Sequence, residues 1–137
     1  MTTRALLALA MVASALTSLL SGCASEDTPD AKMSIVGTWR LVQMSGGISG
    51  AESIPLPSTN MTIEFTEDGE VRWYENNVLT HSASYNTGVE KTIFSSDPLP
   101  VINLSDGWGY VYSFPDDNTL LLGENACDGL GYGYQRL

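Results

Sequence analysis

Residues 61–74 read MTIEFTEDGEVRWY, and this stretch decides the fold class. Apolar and polar side chains alternate in both of its halves, which is the period of a strand with one buried face. Between the two alternating runs, Glu67-Asp68-Gly69-Glu70 supplies residues that favour a turn. The segment therefore predicts a β-hairpin.

Similar short runs continue on both sides of this hairpin. From Ile35 onward, turn-forming residues such as Asn86-Thr87-Gly88 recur about every eight to twelve positions, and no window shows sustained helical periodicity. Short connections favour neighbouring antiparallel strands, and closing the sheet removes exposed edges. We therefore predict an all-β domain, a small antiparallel up-and-down barrel of eight or nine strands. The predicted strands are 35–44, 61–66, 71–74, 78–86, 89–95, 101–104, 108–114, 119–123 and 130–137.

The connection 45–60 is longer than the others. It contains Ser45-Gly46-Gly47-Ile48-Ser49-Gly50 followed by Pro55 and Pro57, and its small residues have little surface to pack. A loop of this kind either covers one mouth of a barrel or forms a surface excursion. The sequence leaves both alternatives open.

The charge of the chain excludes one class of partner. Its 137 residues include 16 acidic and 6 basic side chains, for a formal net charge of −10. This length fits one domain after any leader is removed. A strongly acidic surface repels phosphate backbones, so we predict no nucleic-acid binding. The same charge gives no electrostatic attraction to anionic lipid.

The N-terminal residues 1–22 resemble the signal peptide of a bacterial lipoprotein. Arg4 precedes an uncharged, mostly apolar run that ends in Leu20-Ser21-Gly22-Cys23, and this ending is similar to a lipobox. The resemblance implies that Cys23 is lipidated and anchors the mature protein to a membrane. The alternatives are an ordinary secretory signal that happens to contain Cys23, or a hydrophobic anchor helix.

Residues 23–34 are small and acidic without periodicity, which predicts a solvated tether between anchor and domain. The expected location is the bacterial cell envelope, at the outer membrane, on its periplasmic face or on the cell surface. If Cys23 is lipidated, Cys127 has no intramolecular partner left. We expect Cys127 to be buried as a small apolar residue, with an intermolecular disulfide as the alternative.

Motifs at the two ends of the predicted barrel suggest a family. Gly37-Thr38-Trp39 in the first strand resembles the Gly-x-Trp motif of lipocalins and the wider calycin group, and Arg136 is a basic residue in the last strand. In that group a late-strand arginine packs over the tryptophan at the closed end, which implies a contact between Trp39 and Arg136. The resemblance covers residues 35–137 and is nearest to small lipocalin-like domains of bacterial lipoproteins. The chain lacks the C-terminal helix and disulfides of full lipocalins, so a deep cavity is not implied.

The interior of such a barrel either is filled by side chains or holds one small ligand. Large rings share one face of two late strands, and buried tyrosine hydroxyls need partners. His81 shares a strand face with Leu79, Ala83 and Tyr85, although a single histidine there is often an ordinary core residue. The candidate ligand-binding residues are His81, Tyr85, Tyr110 and Tyr112. The aromatic face comprises Trp108, Tyr110, Tyr112, Phe114, Tyr132 and Tyr134.

Motifs of catalysis are missing from the sequence. It contains no Gly-x-Ser-x-Gly, phosphate loop, dinucleotide fingerprint or His-Glu-x-x-His, and the acidic residues lack the spacing of a calcium loop. We therefore predict no enzyme activity, no cofactor and no metal site.

Two hypotheses remain for the envelope protein: a barrel that binds or carries a small apolar or amphipathic molecule, or a filled barrel that acts as an interaction or inhibitor module for an unidentified protein partner. A cavity of about 300 Å³ or more favours the first.

Overall fold

The computed structural model describes residues 33–47, 51–55 and 58–137. Within them the chain forms only strands and their connections, and no helix there is long and apolar enough to cross a membrane. The predicted signal peptide, Cys23 and nearly all of the tether lie outside the described residues. The strands are β1 (Gly37–Gly46), β2 (Ala51–Ser53), β3 (Met61–Phe65), β4 (Glu70–Glu75), β5 (Val78–Thr92), β6 (Ser95–Leu104), β7 (Gly109–Asp116), β8 (Thr119–Glu124) and β9 (Leu130–Arg136).

Eight of these strands close into an antiparallel barrel. Strand β1 pairs with β3 on one edge and with β9 on the other, and the strands from β3 to β9 pair in chain order. The short β2 is an additional strand, and among the described strands it pairs with the end of β1 alone. The prediction of an all-β, up-and-down antiparallel barrel is confirmed.

The hairpin predicted for residues 61–74 is present, although Glu70, which the sequence places in the turn, begins β4. Ile63 pairs with Trp73 and Phe65 pairs with Val71, so the apolar members of both strands lie on one face. Gly69 takes a φ of 85° in the turn, a conformation that glycine adopts without steric cost. Ile63, Phe65 and Val71 are buried in the core of the barrel. Fully burying one such side chain contributes about 1.5–3 kcal/mol.

Strand β5 corrects one prediction. It is continuous from Val78 to Thr92, so the predicted turn at Asn86-Thr87-Gly88 is wrong. Its first half pairs with β4 and its second half with β6, and this pairing keeps the backbone extended through the turn-forming residues. The chain reverses instead between Thr92 and Ser95.

Strand β6 is also longer than predicted, because Pro98 and Pro100 lie inside it instead of ending it. Within the described residues, β6 pairs with β7 only over Val101–Asn103. The edge that faces β7 is therefore unpaired at both prolines. Their missing N–H groups remove no hydrogen bond from that edge, which is where a strand tolerates proline.

The closed end of the barrel is covered by Arg136. Its guanidinium carbon lies 4.0 Å from the centre of the Trp39 ring, which is fully buried. The same guanidinium donates hydrogen bonds to the backbone oxygens of Ser34, at 2.8 Å, and Val36, at 3.2 Å. The last strand thus holds the segment that precedes β1 against the bottom of the core.

Gly37 makes this cap possible. A Cβ atom at this position would lie 2.9 Å from Nη1 of Arg136, and the φ of Gly37 is +136°. Both conditions favour glycine. The glycine and the tryptophan of the Gly-x-Trp motif therefore serve one contact, in which one residue leaves room for the guanidinium and the other lies beneath it.

Cys127 corrects another prediction, because it is exposed. It lies in the connection between β8 and β9, where Ala126 donates a hydrogen bond to the carbonyl of Glu124 and Gly129 donates one to the carbonyl of Ala126. These local bonds satisfy the backbone without carrying the loop into the core.

Candidate functional site

A cavity of about 520 Å³ occupies the end of the barrel opposite to Arg136. Its deepest wall is made of Leu41, Leu104 and Leu122, which are all buried. Its rim includes the exposed side chains of His81 and Trp108. An apolar floor beneath a partly polar mouth is the usual arrangement of a small-molecule site.

Strand parity explains why these residues meet. Leu120, Leu122 and Glu124 share the inner face of β8, and Tyr132 pairs with Leu122 across β9. The two leucines are buried, whereas Glu124 at the end of the strand borders the cavity. The same alternation along β4 brings Trp73 to the cavity above the buried Val71.

Glu124 is fixed by two hydrogen bonds. The hydroxyl of Tyr132 donates to Oε1 at 2.9 Å, and the backbone N–H of Leu130 donates to Oε2 at 3.0 Å. Burial and the hydrogen bond to this carboxylate raise the pKa of Tyr132 far above its ordinary range. The phenol therefore stays a donor, and the carboxylate keeps its position at the cavity wall.

Two further tyrosines stand beside this pair. The ring centroid of Tyr132 lies 6.3 Å from that of Tyr110 and 6.4 Å from that of Tyr134. The hydroxyls of Tyr110 and Tyr134 have no hydrogen-bond partner among the described residues. Every side-chain polar atom of these residues that is fully enclosed does have a partner, so these two hydroxyls are not fully enclosed. Their hydroxyls therefore open into the cavity. Burial, followed by the charges of Glu124 and Asp106, raises the pKa of Tyr110, and burial raises that of Tyr134.

At the mouth, His81 is held between an aromatic ring and a carboxylate. Its Nε2 lies 3.0 Å from Oδ2 of Asp106, and its ring centroid lies 5.0 Å from that of Trp73. The N–H of Trp108 donates to Oδ1 of Asp106 at 3.1 Å. This backbone bond, and then the one to His81, lowers the pKa of Asp106. The carboxylate is therefore ionised at neutral pH.

The four candidate ligand-binding residues separate into two pairs. His81 and Tyr110 border the cavity, and Tyr85 and Tyr112 do not. The Tyr85 hydroxyl donates to the backbone oxygen of Thr66 at 2.9 Å, and the Tyr112 ring packs 5.7 Å from that of Phe114. These two tyrosines belong to the packed part of the core.

Sequence reasoning missed several residues of the cavity. Strand alternation in β8 and β4 places Glu124 and Trp73 on the inner face, so this signal was sufficient to predict both. Asp106 reaches the mouth through the connection between β6 and β7, and no local pattern signals this. A register shift in the pairing of β4 with β5 brings Thr80 to the cavity beside His81 and leaves Leu79 half exposed outside it.

Within residues 33–47, 51–55 and 58–137, no group of three or more histidine, cysteine, aspartate or glutamate side chains could hold a metal ion.

Comparison with known proteins adds little. No family model matches the chain, and no curated protein matches it. Among solved structures, it is similar to a de novo designed fluorescence-activating β-barrel, with 15% identity and a TM-score of 0.38. The match covers 74% of this chain and 93% of the designed one. A similarity this distant carries no inference, so the assignment of the fold rests on the strand pairings described above.

Proposed function

We propose that this protein binds a small, partly apolar molecule in the open end of its barrel. The observation that carries the proposal is the cavity of about 520 Å³. It exceeds the roughly 300 Å³ at which small-molecule sites begin. A barrel that acted only through its outer surface has no need of such a cavity, so the alternative of a filled interaction module is less well supported.

The floor and the mouth of the cavity contribute differently to binding. Leu41, Leu104 and Leu122 offer apolar surface, on which each buried methylene of a ligand gains about 0.8 kcal/mol. Polar groups at the mouth orient the other end of the ligand. A chain of roughly ten carbons gains about 8 kcal/mol in this way. The entropic losses of association offset part of this gain, so we expect an affinity weaker than about micromolar.

Binding, not catalysis, is the role we propose. Two pairs of polar side chains at the cavity hold each other in place, Tyr132 with Glu124 and His81 with Asp106. Paired groups of this kind shape and orient a site. The Gly37-Thr38-Trp39 motif and its contact with Arg136 support a lipocalin-like barrel, a class of folds that holds ligands in this way.

Intrinsic fluorescence tests the proposal. Trp73 and Trp108 border the cavity, whereas Trp39 is enclosed beneath Arg136 at the other end. Bromodecanol, whose bromine quenches indole fluorescence on contact, should quench the parent protein saturably, and unbrominated decanol should relieve the quenching. A variant carrying Trp73→Phe and Trp108→Phe should emit from Trp39 alone and stay unquenched. Absence of saturable quenching in the folded parent would refute the proposed function.

We propose in addition that the protein is anchored in a bacterial envelope through a lipid on Cys23. The lipobox-like ending Leu20-Ser21-Gly22-Cys23 supports this proposal. Cys23→Ser should leave an unprocessed or soluble form, whereas the parent should stay with membranes after a high-salt wash. A Cys127→Ser control should fractionate like the parent. A Cys23→Ser protein that keeps both the mature mass and the membrane association would contradict the anchor.

A further inference from the structure

The charged side chains around the cavity have one sign. Glu75, Asp106 and Glu124 border it, and His81 is the one basic group of the described residues that does so. No lysine or arginine within the described ranges contributes to its wall. The carboxylates therefore give the cavity a negative potential, which the net charge of −10 reinforces.

Two arginines of the described residues are used elsewhere. Arg72 alternates with the inward-facing Trp73 and pairs with Glu64 and Glu70 on the outside of the barrel. Arg136 caps the opposite end. A carboxylate or phosphate ligand would find no positive partner in this wall, whereas a cation would find several negative ones.

Aromatic rings line the same space. Trp73 and Trp108 stand at the mouth, and Tyr110 and Tyr132 lie further in. The faces of such rings attract cations, and proteins recognise quaternary ammonium groups with aromatic cages of this composition. The wall thus combines the two features that favour an organic cation, carboxylates and electron-rich rings.

Tyr134 adds a polar group to the cavity wall. The residue is 6% exposed and borders the cavity, and its hydroxyl has no partner among the described residues. Because no fully enclosed side-chain polar atom of the described residues is unpaired, this hydroxyl opens into the cavity, where water or a polar group of a ligand can reach it. The neighbouring Glu124, held by Tyr132 and the N–H of Leu130, faces no positive side chain of the described residues within 4.0 Å.

We propose that the ligand of this cavity is a cationic amphiphile, an organic ammonium with an apolar tail. The tail lies on the leucine floor, and the ammonium group lies against Glu124 and the surrounding aromatic rings. This inference rests on the proposed function, because it names the chemical class that the cavity accepts.

Three probes that share a ten-carbon chain test the inference by calorimetric titration: decyltrimethylammonium and decanoate below their micelle concentrations, and decanol below its solubility limit. The parent should bind decyltrimethylammonium at least about ten-fold more tightly than decanol, since cation–π contacts and a carboxylate act together. Decanoate should bind most weakly. Raising the salt concentration should weaken the cation and leave decanol unchanged.

Three variants show which carboxylate causes the preference for the cation. Glu124→Gln removes the fixed carboxylate, and Glu75→Gln removes an exposed one at the rim, which serves if the first variant does not fold. Glu124→Gln should lose most of the preference for decyltrimethylammonium over decanol, and Glu75→Gln should lose a measurable part of it. Glu67→Gln makes the same change in net charge in the turn between β3 and β4, at the other end of the barrel, and should keep it.

The other possible outcomes each refute one claim: the cationic ligand, its site, or the proposed function. If decanol binds as tightly as decyltrimethylammonium, the cationic ligand is refuted and the proposed function stands. If Glu67→Gln lowers the preference as much as the cavity variants do, the cation binds through overall charge and the site assignment is refuted. If none of the three probes binds, the proposed function fails and this inference fails with it.

Discussion

Arg136 connects the two ends of the described chain through a single side chain. Its guanidinium lies over the ring of Trp39 and donates to backbone oxygens of residues before β1. Trp39 in turn donates from Nε1 to the carbonyl of Ile35 at 2.9 Å. Each partner thus holds the same short segment, so the energies of Trp39 and Arg136 should be coupled.

A double-mutant cycle measures this coupling. Trp39→Ala removes a fully buried ring and should lower the free energy of unfolding by about 3–5 kcal/mol. Arg136→Ala should lower it less, and the double variant should lose less than the sum, because both changes delete the same contact. Denaturant unfolding of the four proteins gives the values. Additive losses would contradict a shared contact.

The hydroxyls of Tyr85 and Tyr110 have different surroundings, although the sequence predicted the same ligand-binding role for both residues. Tyr85→Phe removes the hydrogen bond to the carbonyl of Thr66 and should lower stability by about 0.5–1.5 kcal/mol. Tyr110→Phe removes a hydroxyl that faces the cavity, so thermal stability should stay close to that of the parent while affinity for decanol, which can hydrogen-bond to this hydroxyl, falls. Melting curves and titrations of both variants check this. The reverse pattern would place Tyr110 in the packed core.

Strand β5 is the element that departs most from the local sequence signal. Asn86-Thr87-Gly88 is a turn sequence, yet the backbone runs through it in an extended conformation. Gly88 has no positive φ, and an added Cβ would lie 3.8 Å from its nearest neighbour, an oxygen of Glu90. An alanine therefore fits at this position.

A matched pair of glycine substitutions tests the continuity of β5. Gly88→Ala should raise the free energy of unfolding by about 0.4–1 kcal/mol, because alanine restricts the unfolded chain more than glycine does. Gly69→Ala should lower it, because the turn between β3 and β4 needs a φ of 85° there. Chemical denaturation of both variants suffices. A destabilising Gly88→Ala would indicate a turn at this position.

Local patterns predicted the elements whose partners are near in sequence. The hairpin of residues 61–74 follows from alternation and a turn, and the structure contains it. The length of β5 depends on partners that arrive from β4 and β6, and the pairing of Gly88 with Val101 has no local signal. The same holds for the cavity residues. The inward position of Tyr110 was predictable from strand alternation, whereas that of Asp106 depends on how the connection between β6 and β7 folds over the mouth.

For the molecule as a whole, the tyrosines of the cavity predict a response to alkaline pH. Burial raises the pKa of Tyr110, Tyr132 and Tyr134 above the value of about 10 that they have when unfolded. A raised pKa in the folded state stabilises the protein fully below pH about 10, and this contribution is lost as the pH rises toward the folded pKa. The free energy of unfolding should therefore fall above pH about 10.

Ultraviolet titration of the phenols checks that response. Fewer than the 6 tyrosines of the chain should ionise near pH 10 in the native protein, and all of them should do so in denaturant. Replacing Tyr132 by Phe should remove one of the late-ionising phenols. Identical titration curves in the native and denatured states would contradict the buried tyrosine wall.

The central claim, that the open end of the barrel holds a ligand, is tested most directly by methyl nuclear magnetic resonance with decanol. Leu41, Leu104 and Leu122 line the cavity, whereas Ile35 and Ile63 are buried beyond it toward the closed end. The account predicts saturable shifts and nuclear Overhauser contacts between the alkyl chain and the three leucines, with the two isoleucines unaffected. Contacts confined to exposed methyl groups such as those of Val89, or no contacts at all, would contradict it.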